Sequence, residues 1–199
     1  MARVRTTANP TPLPLPLLVR AYSLAARAHS GQRQDADGSP YLEHALAVAA
    51  LLDDAGYSDE VVAAGLLHDV VEKTDVTLFE LRARFGAHVA RLVRAMTEPE
   101  GIEPFATRKA AHRAQVMRAG AEAEAIFAAD KVANAMKLRA AIESDGEPAV
   151  RERVGPLLDQ KIDHYQATLR LLAQREPAPP FLESLEDELV RLRRERLSV

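Results

Sequence analysis

The sequence has no cysteine and no tryptophan. Without cysteine there is no disulfide framework, no thiolate nucleophile, no iron–sulfur ligation and no cysteine-type zinc site. Aromatic residues make up only 5% of the 199, which disfavours the stacking platforms that bind single-stranded nucleic acid. No stretch approaches 18 uninterrupted apolar residues, so no helical membrane span is expected. Neither sign of charge dominates. Lys plus Arg is 26, Asp plus Glu is 29, and the formal net charge is −3, which argues against a strongly basic nucleic-acid binder. There is no convincing alternating strand pattern and no internal repeat. What is present is ordinary for a globular chain: 47% hydrophobic and 28% charged residues. The length suits one domain with a short appendage.

The first residues carry Arg3 and Arg5, then an apolar run with Pro10, Pro12, Pro14 and Pro16. Prolines at every second position oppose the helical core of a signal peptide. Residues 1–16 are expected to be a stiff, extended leader, with secretion the weaker reading, and the expected location is the cytoplasm. A body at 17–176 and a Pro linker with a C-terminal amphipathic helix at 177–199 complete the organisation.

Helical periodicity runs through the body and predicts an all-α fold. A first helix is expected from about Leu18 to Ser30. A second starts near Pro40, placed in its first turn, with Leu42, Ala45, Leu46, Ala49 and Leu52 as its apolar stripe. Ser58 is expected to cap a third, running from Asp59 to about Val71. Thr77 and Glu80 form a capping box, opening a helix that ends at Phe85-Gly86, and another follows through Met96. Glu98 to Ala106 is expected to be a loop, with Thr107 capping the next helix up to Gly120. An Ala-rich helix from Ala121 to about Ile142, one after Pro156 and a last one from Leu182 to about Leu197 complete the set. Leu185, Leu189 and Leu192 give this last helix an apolar face for packing on the body or on a second subunit. A homodimer is compatible with that face.

Three apolar helices are interrupted by polar residues. His68-Asp69 directly follows a buried-looking run. His44 lies between Leu42 and Leu46. Asp130 emerges from Ala125-Ile126-Phe127-Ala128-Ala129. An ionised carboxylate in such surroundings costs several kcal/mol unless it is paired or bound to metal. Each residue alone reads more simply as a satisfied core or surface group. Together, two imidazoles and two carboxylates make a mixed N/O set that suits Mn, Fe or Zn better than Ca or Mg. Such a site leaves positions open for hydrolytic chemistry. Glu72, four after His68, shares its helical face.

The order His44…His68-Asp69…Asp130 resembles the signature of HD-domain metal phosphohydrolases. Ala28 to Gln32, Gly38 to His44, Ala63 to Glu72, Phe85-Gly86 and Ala129 to Asn134 are similar to the hydrolase domain of Rel/SpoT-type alarmone proteins. The likeness spans roughly Leu18 to Ala173. With no synthetase or regulatory domain following, the chain resembles the stand-alone small alarmone hydrolases, the metazoan SpoT homologue among them. The resemblance implies an HD-domain helical bundle of about eight to ten helices. It implies Mn²⁺ held by His44, His68, Asp69 and Asp130, with Fe²⁺ or Zn²⁺ as alternatives. It implies hydrolysis of the 3′-pyrophosphate of guanosine tetra- or pentaphosphate, (p)ppGpp. Glu72 matches the acid that positions or deprotonates the attacking water. Asn134 matches a nucleotide-contacting Asn, and Tyr165 aligns with a Tyr near the nucleotide.

A pyrophosphate substrate needs cations, and Arg33, Arg108, Lys109 and Lys131 are the candidates. His29 reads as structural or pocket-lining, while His88, His112 and His164 read as structural. Three departures from the family pattern bear on the substrate. Lys73 stands where the family has the second half of a catalytic acidic pair; beside Glu72 it is a candidate catalytic residue that could bind a phosphate oxygen but cannot replace a carboxylate base. The first loop carries Asp35 and Asp37 where cations are usual. Phe105 stands where a phosphate-facing Lys is common. Two other readings therefore stand beside alarmone hydrolysis. One is a metal phosphohydrolase of another nucleotide, such as NADPH at its 2′-phosphate. The other is a weakly catalytic nucleotide-binding regulatory protein. No nucleic acid polymer and no membrane is expected as a partner.

Overall fold

Ten helices follow one another in the computed structural model, which describes residues 15–197. They are α1 (Leu17–Ala28), α2 (Tyr41–Asp54), α3 (Asp59–Leu67), α4 (Val70–Lys73), α5 (Leu78–Met96), α6 (Phe105–Ala119), α7 (Ala121–Asp145), α8 (Glu147–Val154), α9 (Leu157–Leu172) and α10 (Leu182–Leu197). There is no strand among the described residues, only an isolated bridge between Arg33 and Pro40. The fold is all-α, as the periodicity predicts. The expected leader lies outside the described residues except for Leu15 and Pro16.

Two helices are buried on all sides over long stretches and form the centre. In α3 every residue from Val61 to Leu67 is buried, and α7 is buried without a break from Ala123 to Ala133. A helix without a polar face must be surrounded. Accordingly α1, α2, α5 and α7 pack around α3, and α2, α6, α9 and α10 pack along α7. Gly65 lets α3 approach α2 closely. A Cβ there would lie 2.5 Å from Leu52 Cδ1 on α2. Large-to-small complementarity of this kind sets the spacing of two helices.

Several helix ends differ from expectation. The third helix stops at Leu67, not Val71. His68 is its C-cap, and Asp69 (φ −100°, ψ −7°) precedes the single-turn α4. Pro40 lies just outside α2 as its N-cap, where its missing N–H costs nothing. The Ser58 side chain makes no capping bond. Thr107 lies inside α6, because Pro104 ends the loop and the helix begins at Phe105. The Thr77 cap is present, its hydroxyl accepting from the Glu80 N–H at 3.2 Å. Gly86, at φ 89° and ψ 171°, breaks α5 where two helices are expected. Helix α8 is not apparent in the sequence. It buries only Val150 and Val154.

The last helix packs on the body. Leu185, Leu189 and Leu192 are buried against α7 and α9, and Arg139 Nε on α7 donates to Glu188 at 2.7 Å.

Candidate functional site

Three central elements deliver the polar residues to one point. His44 comes from the first turn of α2, His68 from the C-cap of α3 and Asp130 from the middle of α7. His44 Nε2 lies 3.2 Å from His68 Nε2 and 3.2 Å from Asp130 Oδ1. His68 Nε2 lies 3.8 Å from the same oxygen and 3.4 Å from Asp69 Oδ2. His44, His68 and Asp130 together could hold a metal ion, all their donor atoms lying within 4.8 Å of one another. The break after Leu67 matters here, because it lets the adjacent His68 and Asp69 serve one point.

The orientation of the donors fits a cation. His68 Nδ1 lies 2.7 Å from the Gly65 carbonyl oxygen, so that nitrogen carries the proton and donates it. In the neutral ring, the form that binds a metal, the Nε2 lone pair is then turned toward His44 and the carboxylates. A backbone carbonyl holding the far nitrogen is the usual support of a metal-binding imidazole. Asn134, four residues after Asp130, donates to its Oδ1 at 2.5 Å and to its backbone carbonyl at 2.9 Å. Lys131 Nζ lies 2.5 Å from Asp130 Oδ2, and the Tyr41 hydroxyl donates to Asp69 Oδ2.

Burial opposes ionisation of both carboxylates, yet neighbouring cations outweigh it. His68, Lys73 and His44 hold Asp69 below the usual range, and Lys131 with the two histidines does the same for Asp130. Burial also opposes charging His68, but Asp69 and Asp130 raise its pKa to about 9. The carboxylates are thus held ionised by positive charge around them, a place that a divalent cation would share with the proton on His68.

The cluster forms the floor of a cavity of about 440 Å³, within the range of small-molecule sites. The cavity brings together Arg33, Tyr41, His44, His68, Asp69, Glu72, Lys73, Lys109, Asp130, Lys131, Asn134 and Tyr165. Arg108 does not line it. Its guanidinium is engaged by Glu98 at 3.0 Å and Glu103 at 2.8 Å on the outer side of α6. Nor does His29 line it. It is buried behind, its Nδ1 2.8 Å from Gln32 Oε1 and its ring against Tyr41. Glu72 is held at both oxygens, accepting from Lys73 Nζ at 3.3 Å and from the Glu98 N–H at 3.1 Å.

Residues 21–153 match the HD domain family. The chain belongs to it. Among HD-domain relatives, the human protein named guanosine-3′,5′-bis(diphosphate) 3′-pyrophosphohydrolase MESH1 is 40% identical over 139 residues, 68% of this chain and 77% of the relative. The Danio rerio protein of that name is 38% identical over 121 residues, 59% of this chain and 67% of the relative. The fold matches a solved structure of a metazoan ortholog of SpoT. The TM-score is 0.72 and the identity 24%, over 92% of this chain and 98% of the other. A Listeria monocytogenes EGD-e protein, lmo0812, matches with a TM-score of 0.66 and 33% identity, over 78% of this chain and 98% of the other.

The HD-domain cavity also contains residues that sequence reasoning did not single out. Lys137 and Lys161 line it and neutralise the acids of the first loop. Lys137 Nζ lies 3.1 Å from Asp37 Oδ2, and Lys161 Nζ lies 3.4 Å from Asp35 Oδ2. The loop's departure from a cationic pattern is therefore compensated by α7 and α9. The available signal was spacing: Lys137 is seven after Asp130 and Lys161 four before Tyr165, on shared faces. His112 and His164, read as structural, line the cavity as well. Their rings flank Phe127, with centroids 5.2 and 6.0 Å away. Burial, then the charge of Lys131, lowers the pKa of His112 to about 4, and the same causes lower that of His164. His88 is a surface residue, 3.2 Å from Glu122.

Proposed function

We propose that this HD-domain hydrolase removes the 3′-pyrophosphate of (p)ppGpp in the cytoplasm, with Mn²⁺ as its ion. The hydrolase unit is assigned to residues 17–176. The observation that carries this reading is the convergence of His44, His68 and Asp130, with Asp69 beside them, at the floor of a cavity lined by lysines and an arginine as well as carboxylates. The names of the human and Danio rerio relatives support the substrate.

When bound, a divalent ion supplies Lewis-acid polarisation of a phosphoryl oxygen and acidifies water. His44, His68, Asp69 and Asp130 would hold it. Glu72 is the carboxylate in the cavity placed to take a proton from the attacking water. Water attacks the phosphorus attached to the 3′ oxygen. The phosphorus–oxygen bond breaks, pyrophosphate leaves, and the 3′ oxygen takes up a proton. Lys109, Lys131 and Arg33 meet phosphate oxygens. Tyr165 stays neutral, because burial and then Asp130 raise its pKa, and so offers an O–H donor beside Asn134.

Lys73 supports a second reading. Its hold on Glu72 Oε1 competes with a water for the same oxygen and weakens the base, which suits slow turnover or another nucleotide. The full chain incubated with Mn²⁺ and a nucleotide panel separates the readings. Pyrophosphate release from ppGpp, lost in Asp69→Ala, is the expected result. Rapid phosphate release from NADPH with little ppGpp turnover would overturn the substrate. Nucleotide binding without product, and turnover gained in Lys73→Asp, would favour the regulatory reading.

A further inference from the structure

Phe105, Lys109 and His164 form a wall of the main cavity that has a second face. Behind it a side cavity of about 260 Å³ opens between α6 and α9. Helical spacing builds it. Lys109 and Arg113 are four apart on α6, and Asp163, Ala167 and Arg170 follow at intervals of four and three on α9. Lys109, Arg113 and Arg170 bring three positive charges against the single carboxylate of Asp163.

Two of those charges lack a counterion. Lys109 is paired with Glu98. Arg113 donates to His164 Nδ1 at 2.7 Å, and among the described residues neither Arg113 nor Arg170 has an acid within salt-bridge distance. Burial, and then the charge of Arg170, lowers the Arg113 pKa, so the two guanidiniums repel one another across the cavity. Such a pair is stabilised by any anion that enters.

His164 supplies an independent observation. A guanidinium only donates, so His164 Nδ1 accepts and Nε2 carries the proton. His164 is 5% exposed, and its Nε2 has no hydrogen-bond partner. The residue that steadies Arg113 is thus itself buried, with its own N–H left without a protein acceptor.

We propose that the side cavity between α6 and α9 is an anion subsite for a phosphoryl group. Arg113 and Arg170 meet its oxygens, and His164 Nδ1 holds the Arg113 guanidinium at the shared wall. At about 260 Å³ the space falls below the roughly 300 Å³ of whole small-molecule sites, so it suits a fragment. The phosphoryl group has two sources. One is the 5′ phosphate arm of the nucleotide whose 3′ end lies at the floor, which rests on the alarmone reading. The other is a separate phosphate anion.

Titration calorimetry of the full chain with inorganic pyrophosphate in EDTA needs no catalysis, so its result stands even if the alarmone reading fails. Arg170→Gln is expected to weaken pyrophosphate binding about tenfold. Arg170 is on the surface, and circular dichroism checks that the variant folds. A second arm compares KM for ppGpp with KM for guanosine 3′-diphosphate, which has no 5′ phosphate. A preference for ppGpp that falls about tenfold in Arg170→Gln assigns the subsite to the substrate's own arm. An unchanged preference with weakened pyrophosphate binding assigns it to a separate anion. Unaltered pyrophosphate binding in both Arg170→Gln and Arg113→Gln overturns the subsite.

Discussion

At the floor of the cavity, His44, His68 and Asp130 are 4%, 2% and 6% exposed, and their polar atoms lie within 3.8 Å of one another. At the rim, Lys73 with Glu72, Lys137 with Asp37 and Lys161 with Asp35 pair at 3.1 to 3.4 Å, with side chains about a quarter exposed or more. Water can replace a partner at the rim and cannot at the floor. Exposed pairs contribute about 0–1 kcal/mol, whereas a buried charge that loses its partner costs about 3–5 kcal/mol. In the proposed reaction, the chemistry is therefore anchored where change is costly. The proposed choice of substrate lies where change is cheap, and there the chain departs from the Rel/SpoT pattern.

The largest effect is expected at the floor. Asp130→Ala should lower hydrolysis at least about 10⁴-fold and strip the protein of metal, as elemental analysis would record. Retained metal would erase the distinction between floor and rim. Glu72→Gln tests a residue at the boundary: turnover should fall about 10²–10⁴-fold with metal content intact. Loss of metal in that variant would move Glu72 into the floor.

A third test uses pH. His112 is held at about 4 by burial, reinforced by Lys131, while an unfolded histidine titrates near 6.5. The unfolded chain thus binds the proton first on acidification. Stability is fully present above pH 6.5 and declines as pH falls toward 4, by up to about 1.4 kcal/mol per pH unit. His164 is shifted in the same direction. Denaturant melts across that range should show the slope, and His112→Gln should reduce it. A flat profile would mean that His112 is wet like the rim. The smallest effect is expected from Asp35→Ala, which frees Lys161. KM should change by less than about fivefold, as steady-state kinetics would show.

The floor was legible because each of its residues violates a local apolar pattern. His44, His68, Asp69 and Asp130 stand out against the leucines and alanines around them. Two of the rim pairs were not legible, because they join distant positions: Lys161 and Asp35 are 126 residues apart, and Lys137 reaches the same loop from 98 residues beyond Ser39. Nothing local marks such a lysine as different from a solvated one. His112 and His164 were read as structural for the same reason. Their importance depends on Phe127 standing between them, which only tertiary packing decides. The helical segments were mostly evident, while α8 was hidden by its polar composition and a proline in its first turn.

Helix α7 has one more consequence. It is a single rod that presents Asp130 and Asn134 on one flank and receives Leu185, Leu189 and Leu192 of α10 along another. The final helix and the reaction centre thus share one beam. Loss of the Arg139–Glu188 contact on its outer side is expected to reach Asp130 through α7. A screen for lost turnover would then recover positions far from any phosphate.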